Sequence, residues 1–185
     1  MGSVIVFHGS ARKNGVSNQL VDRVAAGAES AGADLAFYNL KDPQIRGCQG
    51  CMYCRSHEGC ATQDALQPFY GQIKDAVGIV IGFPIYNMNI SGQTKQWLDR
   101  MHPLIDDRFQ ARYPGKRCVA AYAYGNADPN IYDDPIAANN RLLRLYGFER
   151  IELLVAHCTA APGYAIPDDV MEKAFDAGRR MAEAH

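Results

Sequence analysis

The sequence predicts an α/β fold, an open and doubly wound parallel sheet of five strands in the order 2-1-3-4-5 with helices on both faces. Three observations carry this. Apolar runs rich in β-branched residues alternate with stretches of helical period, the pattern of strand-helix-strand crossovers. Four of the five runs are nearly continuous in apolar residues, as strands covered on both faces must be. No internal repeat, low-complexity segment or linker interrupts the 185 residues, a length suited to one substantial core, so a single domain over 1–185 is expected.

The first strand is read at Ser3–His8, "SVIVFH". Leu20, Val21, Val24, Ala25 and Ala28 then form one helical stripe, and Gly32 is its stop. A second strand follows at Asp34–Asn39, and a cysteine-rich loop insertion occupies about 46–62. Asp64 is expected to cap the next helix, with Gln67 completing a capping box and Pro68 in the tolerant first turn. The remaining strands are read at Val77–Phe83, Arg117–Tyr124 and Arg150–His157. Helices are read at Ser91–Met101, at Pro135–Tyr146 with Gly147 behind it, and at Pro167–Ala184.

Composition excludes several classes of function. A formal net charge of −1, with no Lys/Arg run longer than a pair, offers no field for nucleic acid. No stretch approaches the roughly 18 apolar residues of a membrane span. Met1-Gly2-Ser3 leads straight into a short apolar run without the basic start of a signal peptide. A cytoplasmic protein with reduced thiols is therefore expected, in which clustered cysteines point to metal or redox work.

In a sheet of this order the ligand crevice opens where the strand order reverses, beyond the carboxyl ends of the first and third strands. The loop after the first strand reads "GSARKNGVSNQL". It opens a helix, so its backbone N–H groups converge on an anion, with hydroxyls from Ser10 and Ser17, a guanidinium from Arg12, and Gly9 and Gly15 allowing close approach. It has neither G-K-[ST] nor G-x-G-x-x-G, so a single terminal phosphate suits it better than a triphosphate or dinucleotide. The plainer reading is a polar turn with Ser17 as N-cap. The loop after the third strand, "PIYNMNISGQTKQWLDR", brings Tyr86, Asn87, Met88 and Asn89 to the crevice mouth, a set suited to a flat heteroaromatic ring or, more plainly, to packing. A third loop, "YGNADPNIYDD", would close the crevice with Tyr124, Gly125 and Asn126.

Residues 48–60, "CQGCMYCRSHEGC", have the spacing C-x2-C-x2-C-x5-C. Three thiolates at this spacing can wrap adjacent corners of a cubane, and Cys60 could close a [4Fe–4S] site with Cys48, Cys51 and Cys54. Zinc also accepts four thiolates, although structural zinc sites usually pair two knuckles across a longer gap. The third reading is a loop without metal whose thiols are structural or redox-reactive. Cys118 and Cys158 lie in or beside strands and read as small buried thiols. His8, His102 and His157 show no mutual ligand spacing and read as structural.

"GSARKNG", the "GC..C" near residue 50 and "FPIYNMNISGQTKQWLDR" together resemble the NAD(P)H-dependent FMN reductase group of flavodoxin-like proteins. The cysteine spacing is similar to that of the iron–sulfur flavoproteins within it. The resemblance covers about residues 3–125, and the rest only at fold level. It implies that Ser10, Arg12, Asn14, Ser17 and Asn18 hold the phosphate and ribityl chain of FMN. Pro84, Ile85, Tyr86, Asn87, Met88 and Asn89 would hold the isoalloxazine, and Tyr124 and Gly125 would complete the pocket. Ala11 and Val16 depart from the usual proline and asparagine, and the usual acidic pair after the cysteines is "QD", leaving Asp64.

The implied function is electron transfer from NAD(P)H or a ferredoxin-like donor through FMN to a small acceptor such as a quinone or flavin, with no catalytic side chain required. One alternative is an iron–sulfur flavoprotein relaying electrons between a [4Fe–4S] cluster and FMN. Another is a non-enzymatic carrier of flavodoxin type, which the near-neutral charge supports poorly. The resemblance also implies a homodimer or homotetramer with the cysteine loop near a neighbour's flavin.

Overall fold

The alternating faces of each apolar run explain the layers of the molecule, which a computed structural model describes over residues 2–183. Strands β1 (Ser3–His8), β2 (Asp34–Asn39), β3 (Ala76–Tyr86), β5 (Lys116–Ala123) and β6 (Phe148–Ala156) form a parallel sheet in the order β2-β1-β3-β5-β6. A two-residue strand β4 (Asn89–Ile90) turns back on the end of β3. Without that hairpin return, the long strands take the order expected from sequence.

The helices are α1 (Val16–Ser30), α2 (Gln67–Asp75), α3 (Gly92–Asp99), α4 (Asp133–Leu145) and α5 (Asp168–Glu183). Gly32, at φ +86°, ends α1 as its composition indicates. Two boundaries differ in ways that matter. β3 runs on to Tyr86, so Pro84, Ile85 and Tyr86 are strand residues and not loop residues. Proline is tolerated there because it lies in the last turn of the strand, where only its carbonyl is used, accepting from the Ser91 N–H. α3 stops at Asp99, and a short 3-10 turn, His102–Leu104, takes over beyond Met101. Ala184, the expected end of the last helix, lies outside the described residues. No helix among the described residues is long and apolar enough to cross a membrane.

Successive residues of one strand serve opposite cores. Ile5 and Phe7 pack with Ile79, Ile81, Phe83, Trp97 and Tyr122 on the side of α2, α3 and α4. Val4 and Val6 pack with Val80, Val119, Leu20, Val24 and Met181 on the side of α1 and α5. This is why the strands read as continuous apolar runs.

On the second face α1 and α5 cross backbone to backbone. A Cβ on Gly178 would lie 1.8 Å from the Val24 carbonyl oxygen, and one on Gly27 1.9 Å from that of Phe175. Gly178→Ala must therefore push the helices apart, and it is expected to cost about 2 kcal/mol, within the usual range for overpacking. A lower urea midpoint at unchanged slope is the expected result, and an unchanged midpoint would show that the crossing yields freely.

Candidate functional site

Each of three loops at the carboxyl ends of the strands is shaped by its own short-range chemistry. In the first, Ser10 donates its N–H to the Asn18 side-chain oxygen (3.0 Å), and the Asn18 amide donates back to the Ser10 carbonyl (3.2 Å). Asn18 also reaches the Arg12 carbonyl at 3.5 Å, and the Arg12 N–H donates to Ser10 Oγ at 3.2 Å. Gly15 caps α1 with backbone only, and a Cβ there would meet Ser10 Oγ at 2.2 Å. Ser17 therefore is not the N-cap. It sits inside the first turn, 1% exposed, and its hydroxyl has no partner among the described residues.

In the second loop, Asn87 (φ +45°) and Met88 (φ +71°) form the tight two-residue turn between β3 and β4. Met88 is 60% exposed and Tyr86 41% exposed. The third loop starts at Tyr124, whose hydroxyl donates to the Pro129 carbonyl (2.7 Å). Burial pushes that phenol up, and the nearby Asp133 and Asp128 push it further, so it stays protonated.

Together the loops enclose a crevice of about 260 Å³. Ser10, Arg12, Gly15, Val16 and Ser17 line one end, and Pro84, Ile85, Tyr86, Tyr124 and Gly125 line the other. Arg12 is the cation of this lining and no carboxylate opposes it, so the first end is set up for an anion. Asn14, Asn18, Asn87, Met88 and Asn89 are not part of the lining. Asn18 is a strut of the loop, Asn14 uses its carbonyl to accept from Gln19, and the Asn89 side chain accepts the Ile90 N–H. Thr159 and Ala160, from the loop after β6, also line the crevice and were missed. They are held there because the Thr159 N–H donates to the Tyr124 carbonyl and the Cys158 N–H to that of Asn126. The only cue in the sequence is small size, with Ala160 packed against Gly125.

A second cavity, of about 140 Å³, is lined by all four clustered cysteines together with Arg100, His102 and Pro103. Cys48 and Cys51 are exposed, Cys54 and Cys60 half-buried. Burial pushes the Cys54 thiol up, and the other three thiols push it further. The Gly50 N–H donates to Cys48 Sγ at 3.5 Å, and Cys54 Sγ lies 3.6 Å from His102 Nδ1. Among the described residues, no three His, Cys, Asp or Glu side chains are grouped so as to hold a metal ion.

The walls of this cavity are anchored by a buried ion pair. Arg100 donates to Asp64 through both terminal nitrogens (2.6 and 3.1 Å), with side chains 0% and 2% exposed. Asp64 also accepts the N–H groups of Arg46 and Leu66, and Arg100 donates to the Arg46 carbonyl. Gln67 donates to the carbonyls of Cys60 and Thr62. The expected capping box is thus absent, since Leu66 occupies the cap of α2 and both box residues are committed to the cysteine loop.

A profile of the family described as NADPH-dependent FMN reductase matches residues 3–128, a span that includes both cavities' principal loops. The chain belongs to that family. It is an oxidoreductase family, and the FMN reductase pattern covers the crevice loops from Ser10 through Gly125. An iron-sulfur flavoprotein of Methanocaldococcus jannaschii is 27% identical over 191 residues, covering 97% of this chain and 95% of that one. An iron-sulfur flavoprotein of Archaeoglobus fulgidus is 36% identical over 77 residues, 42% of this chain, and the match spans only 40% of that relative's length. Among solved structures, an NAD(P)H:quinone oxidoreductase from Methanothermobacter marburgensis superposes with a TM-score of 0.67 at 16% identity, covering 100% of this chain and 98% of that one. At that identity the likeness speaks for the fold, which is flavodoxin-like.

Proposed function

We propose that this FMN reductase family member binds FMN in the crevice and moves electrons from NAD(P)H or a ferredoxin-like donor to a small acceptor such as a quinone or flavin. The observation that carries this reading is the unpartnered, buried Ser17 hydroxyl beside Arg12 at the anion-ready end of the crevice. A buried hydroxyl without a partner is costly unless a ligand supplies one. Bound FMN would supply hydride acceptance and release of electrons singly or in pairs. Ser10, Arg12 and Ser17 would hold its phosphate, while Pro84, Ile85, Tyr86, Tyr124 and Gly125 would exclude water from its ring. Asn14, Asn18, Asn87, Met88 and Asn89 would then act through loop shape instead of direct contact.

A second redox centre, a [4Fe–4S] cluster on Cys48, Cys51, Cys54 and Cys60, is favoured by the single cavity that all four thiols line. One zinc ion would draw its thiolates to about 3.8 Å from one another, given Zn–S bonds of about 2.3 Å. A cubane, with iron at four corners, holds its four thiolate ligands farther apart than one zinc ion would.

The test is purification without oxygen, followed by an absorption spectrum and assays of iron, zinc and acid-labile sulfide. Flavin bands over a broad shoulder, with about four irons per chain, are expected. Cys51→Ser should then lose the iron and keep FMN. Flavin without iron would leave an FMN reductase with a structural cysteine loop, and no flavin even after added FMN would reject the proposal.

A further inference from the structure

We infer that His102 is a positioning residue that donates a hydrogen bond from Nδ1 to the Cys54 sulfur and thereby raises the reduction potential of a cluster in the cysteine cavity. This rests on the cluster reading given above.

Three observations bear on it. The contact itself is 3.6 Å, and sulfur's larger radius lengthens its hydrogen bonds beyond the roughly 2.9 Å usual for oxygen. His102 lines the same cavity as the four thiols, and it meets a half-buried one, where water competes least for the donor. Its position is also fixed from both sides. Two residues earlier, Arg100 is locked into Asp64, and Pro103 follows directly. The imidazole packs edge-on against Phe109 at 6.4 Å between centroids, and the guanidinium of Arg55 covers that same ring at 4.3 Å. From the other side, Arg112 donates to the Cys54 carbonyl at 3.2 Å, which fixes the backbone that carries the thiol.

The energetic consequence follows from charge. One-electron reduction adds a negative charge to a cluster, and part of it resides on the ligating sulfurs. A donor aimed at one of those sulfurs stabilises the reduced form more than the oxidised form, so the potential rises. A histidine that only filled space would leave the potential where it was.

The experiment compares wild type, His102→Leu and His102→Asn, all purified without oxygen. Asparagine keeps an N–H donor close to where Nδ1 stands, whereas leucine keeps bulk alone. Iron and sulfide are assayed first. Dithionite then supplies the electron in a dye-mediated titration, followed by the paramagnetic resonance of the reduced cluster. His102→Leu with full iron and a lowered midpoint, largely restored in His102→Asn, is the expected result. Iron lost from the leucine variant but kept in the asparagine variant also supports the hydrogen bond. Full iron with wild-type midpoint and spectrum in His102→Leu overturns the inference, as does iron lost from both variants. Wild-type protein without iron overturns the cluster reading itself and this inference with it, an outcome the iron assay separates from the others.

Discussion

Arg100→Met is expected to lower folding stability by about 3–5 kcal/mol, because it strands the Asp64 carboxylate where it is 2% exposed. The change removes two charge-assisted bonds to Asp64 and the donors to the Arg46 carbonyl and the Tyr70 hydroxyl. Denaturant unfolding followed by circular dichroism reads the loss directly. The double variant Asp64→Leu with Arg100→Met should recover most of it, since a buried pair's desolvation nearly offsets its attraction. Recovery of stability without recovery of the cysteine loop, seen as faster proteolysis near residue 50, would separate the two roles of the pair. Equal stability of the single variant and wild type would refute this account.

The same pair sets a pH dependence. Burial works to raise the Asp64 pKa, but the Arg100 guanidinium and the N–H groups of Arg46 and Leu66 more than overcome it and leave it below the ordinary 3.8. A carboxyl depressed in the folded state contributes stability that is fully present above its unfolded value. That contribution is lost as pH falls below 3.8 and through the folded value. The double variant should lack this component of acid unfolding.

Ser17→Ala is expected to move stability and ligand affinity in opposite directions. Without ligand, it removes a buried hydroxyl that has no partner and installs a better helix former, a gain of about 1 kcal/mol. With FMN, the lost donor should weaken binding about tenfold, or about 1.4 kcal/mol. Thermal unfolding of the ligand-free protein and fluorescence titration with FMN test the two halves. Weaker binding without a stability gain would mean that the hydroxyl is satisfied in the free protein, and unchanged binding would remove Ser17 from the phosphate site.

The sheet was legible because both of its faces are covered, which leaves continuous apolar runs that few other folds produce. The crevice was legible because strand order alone locates it. What escaped notice depends on contacts between distant segments. Asp64 and Gln67 satisfy the local pattern of a cap, yet Arg100 and the carbonyls of Cys60 and Thr62 claim them. Thr159 and Ala160 have no chemistry of their own to announce them, and only backbone bonds to the third loop bring them in. Asn18 is of the expected type in the expected loop, and its amide is engaged by the loop itself, a bond between residues eight apart that no local pattern announces.

The glycine-lined crossing of α1 and α5 also bears on how the protein is made. α1 is synthesised early, and the strip of it that meets α5, at Gly27 and the Val24 carbonyl, has no cover until α5 follows. At about 5–20 residues per second, that strip stays open to water, and to other nascent chains, for on the order of ten seconds. A chain that stalls before Gly178 already holds the sequence of every strand and lacks only the helix that covers one flank of the sheet.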